Sequence, residues 1–302
     1  MFFALRKVDF RDLLSRLDIE SVGWLAIAVL IALLQIAFSA LRWRAISAEC
    51  GAPLTNAQVL RFNMIGSFFN QTLPSSIGGD AVRIWLVRCR GSGWRKAGHS
   101  VFVDRAIGMI ALAIVVVATL PWSYQLIGDV HGRYALLLVD FAALAAGTVF
   151  LIIGWLPWTW LATRWQTKDI FACSVIANRL LFGSRRGFLI VAVSLLIHFL
   201  SAAVAWSVVR SIEAPVSFFQ VFQLIPPVIL ITMIPISIAG WGVREATMGL
   251  AFGYAGLMTN EGINISLLYG AVSFIVGAFG GLVWIFSAEK AAKGSMPIVA
   301  PQ

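Results

Sequence analysis

The chain has 302 residues, 60% apolar and only 12% charged, with a mean hydropathy of +0.87. A soluble domain carries about 25% charged residues, so composition excludes one and leaves an all-α polytopic membrane protein. The formal net charge of +9 calls for no nucleic acid, because Lys and Arg collect in cytoplasmic loops beside anionic headgroups and no nucleic-acid-binding motif accompanies them.

Residues 1–20 carry Arg6, Lys7, Arg11 and Arg16 against Asp9, Asp12, Asp18 and Glu20. That mixture predicts an amphipathic surface segment rather than a cleavable signal. Apolar runs of about 20 residues, the length that crosses a bilayer, follow at Val22–Leu41, Val101–Trp122, Ala135–Leu156, Phe188–Val209 and Ser266–Phe286. Two more apolar stretches, about 59–87 and 217–258, are cut internally by Pro and Gly. The chain thus divides into a first membrane half (21–157), an interfacial basic linker (158–187), a second membrane half (188–290) and a disordered tail (291–302). In the linker Trp158, Leu161, Trp165, Ala172, Ile176 and Leu180 recur at three-to-four spacing with Arg164, Lys168 and Arg179 between them. This pattern predicts a helix along the membrane surface. Tryptophans such as Trp24, Trp43, Trp122, Trp155 and Trp160 lie where runs meet loops, as an interfacial belt does. Cys50, Cys89 and Cys173 follow no metal spacing, and His99, His131 and His198 form no constellation. Basic loops at 88–99 and 157–187 orient those segments to the cytoplasm, with 123–134 and 210–216 on the far side.

The two interruptions are the same motif. Leu73-Pro74-Ser75-Ser76-Ile77-Gly78-Gly79-Asp80-Ala81-Val82-Arg83 aligns with Ile234-Pro235-Ile236-Ser237-Ile238-Ala239-Gly240-Trp241-Gly242-Val243-Arg244. The pairs Pro74/Pro235, Ser76/Ser237, Ile77/Ile238, Gly79/Gly240, Val82/Val243 and Arg83/Arg244 coincide. Matched breaks in two halves point to a transporter's binding site. Three spans lie between the copies, an odd number, so the copies face opposite ways as an inverted repeat requires. Each motif segment is either a re-entrant hairpin or a broken full span followed by a second. The latter gives about eight segments with both termini cytoplasmic, which the Lys/Arg counts favour; the overall expectation is seven to eight.

Irregular backbone at membrane depth survives only beside protein or a water-filled cavity. A helix restarting after Gly79 offers free N–H groups and a positive dipole end, a seat for an anion. Asp80 and Arg83, three apart, share a helical face, and Asn70 and Gln71 add amides upstream. In the second copy Arg244 neighbours Glu245, with Ser237, Gly240 and Trp241 at the break. Charge at membrane depth costs about 2.5–3.5 kcal/mol on insertion scales and is usually paired and functional, and Arg is suited to bidentate phosphate recognition. The candidate substrate-binding residues are therefore Asn70, Gln71, Ser76, Gly78, Gly79, Asp80, Arg83, Asp104, Arg105, Ser237, Gly240, Trp241, Arg244 and Glu245. The structural alternative makes Asp80–Arg83 and Arg244–Glu245 internal ion pairs, or places them at headgroup depth.

Asn70 through Arg83, Ser100-Val101-Phe102-Val103-Asp104-Arg105 with Gly108, and Pro235 through Glu245 together resemble the flippase-like integral membrane family first described as the membrane region of lysylphosphatidylglycerol synthases. The resemblance spans roughly residues 10–290. It implies translocation or handling of a lipid with a phosphate or sugar headgroup in a bacterial cytoplasmic (inner) membrane. The length leaves no room for a fused soluble transferase, so a stand-alone translocator is expected, not an enzyme. The leading expectation is a flippase for an aminoacyl-, glycosyl- or polyprenyl-phosphate lipid, its headgroup held between the halves. The alternatives are an intramembrane transferase with Asp80, Asp104 or Glu245 as base, or a scaffold for cytoplasmic lipid-modifying enzymes. No cofactor and no metal is expected. The expected partners are lipids with anionic headgroups and a separate lipid-modifying transferase, with self-association open.

Overall fold

A computed structural model describes residues 18–73, 77–156, 160, 163–183, 185–233 and 242–287. The described residues are helical throughout, without strands: α1 (Ile19–Glu49), α2 (Asn56–Thr72), α3 (Gly78–Cys89), α4 (Trp94–Leu126), α5 (Val130–Trp155), α6 (Lys168–Phe182), α7 (Arg185–Ser211), α8 (Phe218–Thr232), α9 (Val243–Tyr254) and α10 (Thr259–Phe286). The five apolar runs lie in α1, α4, α5, α7 and α10, each long and apolar enough to cross a membrane. The amphipathic segment before Asp18, the tail and part of the linker lie outside the described residues.

Short polar sequences set the helix starts. Asp18 accepts from the Ser21 N–H at 2.8 Å to open α1, and Asp129 accepts from the Gly132 N–H at 2.7 Å to open α5. Both α2 and α8 begin with a reciprocal capping box, Thr55 with Gln58 and Ser217 with Gln220. Each box satisfies two otherwise orphaned backbone donors.

The chain doubles back between Leu73 and Gly78. Arg83 of α3 lies against Gly66 of α2, and a Cβ on Gly79 would collide with the Gly66 carbonyl and the Asn70 side chain. Val59 and Phe62 near the start of α2 share a core with Leu86 and Val87 near the end of α3. α8 and α9 pair the same way, Leu224 and Val228 packing in one core with Met248 and Phe252. α2 and α3 therefore form an antiparallel helix pair, and the breaks that follow α2 and α8 lie outside the described residues. Helices of 12 and 17 residues rise only about 18–26 Å, less than the roughly 30 Å hydrocarbon core, so α2 and α3 gain by covering one another's backbone.

α1 and α7 run antiparallel in the centre: Trp24 meets Trp206 edge-on at 5.5 Å, Gln35 donates to Ser201 at 2.6 Å, and Arg42 donates to Ser194 at 3.2 Å. The first hairpin opens beside the C-terminal end of α1 and the second beside that of α7, at opposite ends of the bundle. α10 crosses α2 closely. A Cβ on Gly280 would strike the Met64 carbonyl, and Gly277 and Gly281 lie on Gln71 and Phe68; such small residues permit tight helix contact without a hydrophobic drive. α5 is peripheral, with Leu138, Phe141 and Trp155 exposed and only Leu136 and Asp140 buried. α6 caps its end: the Ser174 hydroxyl donates to the Phe150 carbonyl, and Asn178 donates to the Leu151 carbonyl at 2.8 Å.

Candidate functional site

Where the first hairpin meets α1, α4 and α7, three arginines and two aspartates interlock. Arg83 Nη2 donates to Asp104 Oδ2 at 2.9 Å and Arg83 Nη1 to Asp80 Oδ1 at 3.3 Å. Arg42 Nε donates to Asp104 Oδ1 at 2.9 Å, and Arg105 Nε to Asp80 Oδ2 at 2.9 Å. Asp104 is 3% exposed, and Asp80, Arg83 and Arg42 are 8% each. The Arg83 guanidinium also stacks 3.9 Å above the Trp43 ring, gaining cation–π attraction in a desolvated setting. Asp104 lies three positions inside the apolar run Val101–Trp122, toward the end of α4 that follows the basic loop. The cluster is pinned from three sides because each carboxylate accepts from two guanidinium groups on different helices.

This cluster forms one wall of a cavity of about 330 Å³ lined also by Gln35, Ser39, Asn63, Ser67, Asn70 and His198. His198 Nε2–H donates to the Gly108 carbonyl at 2.9 Å. The cavity adjoins a second, of about 260 Å³, through the shared walls Gln35, Ser39, Ser67 and Asn70. The second cavity continues past Gln71 and Ser273 to Tyr269. Beyond Tyr269, the adjacent Gly270 lies against the Arg244 guanidinium. Arg244 Nη2 donates to Glu245 Oε1 at 3.1 Å and Arg244 Nε to the Ser266 hydroxyl at 3.2 Å, while Ser266 donates to Glu245 at 3.1 Å. Glu245 also accepts from the Gly242 N–H, closing the first turn of α9. The two adjoining cavities form a polar passage between the two membrane halves; Arg244 and Glu245 line neither of them.

A family model described as the lysylphosphatidylglycerol synthase TM region matches residues 1–281. The chain belongs to that family. Comparison with curated proteins and with solved structures returned no match. Membership of the lysylphosphatidylglycerol synthase TM region family assigns the protein a lipid-related membrane function, consistent with its five candidate spans.

The structure unites Asn70, Asp80, Arg83, Asp104 and Arg105 around the first cavity and places Gln71 on the second. Arg244 and Glu245 form the separate second cluster. Gly78 and Gly79 shape the hairpin without lining either cavity, packing on Leu73 and on Gly66. Ser76, Ser237, Gly240 and Trp241, like Pro74 and Pro235, lie outside the described residues. The Gly79 N–H, one donor of the anion seat expected at the restart of α3, already donates to Asn70 Oδ1 at 2.9 Å. An internal side-chain acceptor beside the chain reversal satisfies that donor.

Sequence reasoning missed Arg42, which sits one position past the first apolar run, and Gln35 and His198, hidden inside apolar runs. For the hairpins a stronger signal was present. Ala52-Pro53-Leu54-Thr55 with Gln58-Val59 matches Ala214-Pro215-Val216-Ser217 with Gln220-Val221, extending the motif match back through both capping boxes.

Proposed function

We propose that the protein translocates a membrane lipid with a phosphate-bearing headgroup, which enters the polar passage while the chains stay in the bilayer. The observation that carries this reading is the charge of the first cavity. Arg42, Arg83 and Arg105 face Asp80 and Asp104, leaving one surplus positive charge in a largely buried site. An uncompensated buried guanidinium is costly, and a phosphodiester would balance it with charge-assisted hydrogen bonds.

We further propose that α1–α4 and α7–α10 are inverted repeats. The same succession of long helix, capped hairpin and long helix supports this, as do hairpins that open at opposite ends and the antiparallel α1–α7 pair. An inverted pair of this kind gives alternating access around one central site. The basic loops support a cytoplasmic position for the open end of the first hairpin in a bacterial inner membrane. The intramembrane transferase reading is less well supported. Asp80 and Asp104 each accept from two guanidinium groups, and Glu245 from Gly242, Arg244 and Ser266, which leaves no carboxylate poised to take a proton.

The test is reconstitution into vesicles with tail-labelled phosphatidylglycerol, reading arrival in the outer leaflet by chemical quenching. Translocation should exceed that of protein-free vesicles and fall at least about tenfold in Arg83→Ala, the effect of losing one charge-assisted contact. Rates equal to protein-free vesicles would defeat the proposal.

A further inference from the structure

We infer that the passage selects an anionic, hydroxyl-bearing headgroup and rejects aminoacyl and other ammonium headgroups; this rests on the reading that a lipid headgroup occupies the first cavity. Both carboxylates lining that cavity, Asp80 and Asp104, are already held by arginines at 2.9–3.3 Å. No carboxylate among the described lining residues is left to receive an ammonium group. Among the described residues that line this cavity, the buried polar atoms without a hydrogen-bond partner are donors: Asn63 Nδ2 and Arg83 Nε. Both side chains are 8% exposed. A phosphodiester supplies acceptors for such donors, so discrimination falls to the group beyond the phosphate.

The remaining lining carries the same chemistry onward. Ser39, Ser67 and Asn70 on the shared wall, then Gln71 and Ser273, are neutral groups that both donate and accept. Hydroxyls of a glycerol or sugar headgroup can meet each of them in either sense. An ammonium can only donate, and it would approach three guanidinium groups balanced by only two carboxylates. Charge sign therefore discriminates here, since a like-charge juxtaposition acts against the wrong ligand.

The test uses the full chain in lipid nanodiscs, with native mass spectrometry of bound phosphatidylglycerol, lysyl-phosphatidylglycerol and phosphatidylethanolamine, beside translocation of the same three lipids in vesicles. Phosphatidylglycerol should bind at least about tenfold tighter than the two ammonium lipids. Gln35→Glu places a carboxylate on the shared wall at constant shape and should shift the ratio about tenfold toward lysyl-phosphatidylglycerol. Equal binding of all three, or preference for an ammonium lipid, overturns the selectivity and leaves translocation standing. Selective binding without transport keeps the selectivity and overturns translocation, and no binding of any of the three overturns both. Gln35→Glu that folds and binds with an unchanged ratio also overturns the inference. Asn63→Leu, which removes one unpaired donor to the phosphodiester, should weaken binding of the three lipids without changing their ratio, and a ratio that shifts toward the ammonium lipids counts against the inference.

Discussion

Removing Asp104 and removing Arg83 should have opposite balances of structural and functional damage. In Arg83→Ala each carboxylate keeps a guanidinium: Asp80 retains Arg105 and Asp104 retains Arg42, both at 2.9 Å. The stacking on Trp43 is lost, but the desolvation cost of Arg83 goes with it, so the fold should lose only about 1–2 kcal/mol. The cavity loses its surplus charge, and headgroup binding falls. In Asp104→Ala, Arg42 is left with the Ser194 hydroxyl at 3.2 Å and the residue-104 carbonyl at 3.4 Å, and Arg83 with Asp80 alone. Stranding a buried charge in this way costs about 3–5 kcal/mol. Adding Arg42→Gln to Asp104→Asn should recover much of that loss, because no ion then lacks its partner. Denaturant unfolding in a mild detergent, followed by tryptophan fluorescence, gives the ordering, and phosphatidylglycerol binding gives the function. If Arg83→Ala unfolds more readily than Asp104→Ala, Arg83 is the keystone of the network and the division proposed here is wrong.

Three further outcomes follow from groups away from the passage. Asp140 is 3% exposed on α5 with no hydrogen-bond partner for either oxygen among the described residues; Asp140→Leu should therefore stabilise the protein by about 1–3 kcal/mol, and a drop in melting temperature would show that Asp140 has a partner of its own. On the surface, hydrogen bonds from Arg95 and then His99 hold the Asp169 carboxyl below its ordinary value of 3.8. A carboxyl lowered in the folded state stabilises above its unfolded value and loses that contribution as pH falls through the folded one. The docking of α6 on α4 should thus persist down to about pH 4 and weaken only in stronger acid. Asp169→Ala should loosen it at neutral pH. Burial pushes the Cys173 thiol up to about 12, so maleimide at pH 7.5 should label exposed Cys89 and leave Cys173 untouched until Asp169 is replaced. Rapid labelling of Cys173 in the unaltered protein would refute the packing of α6.

The sequence alone determined the membrane class, the five long helices and the presence of two matched breaks. Hydropathy sums over a single helix, and Pro and Gly act on the backbone locally, so neither needs a partner to be read. The pairing Asp80–Arg83 was legible for the same reason, since residues three apart share a helical face, whereas adjacent Arg244 and Glu245 are joined with the help of Ser266 on α10. Only the tertiary structure brought Arg42, Asp104 and Arg105 to the Asp80–Arg83 pair, because those contacts join α1, α3 and α4 across long stretches of chain. It also decided that α2 packs antiparallel on α3, because a local motif cannot say against which neighbour the next helix lies. Gln35 and His198 read as ordinary members of apolar runs, and Asp140 as one charge in a span. Hydropathy records the transfer energy of a side chain but not its direction, and direction separates a residue facing lipid from one facing the passage or a dry interface.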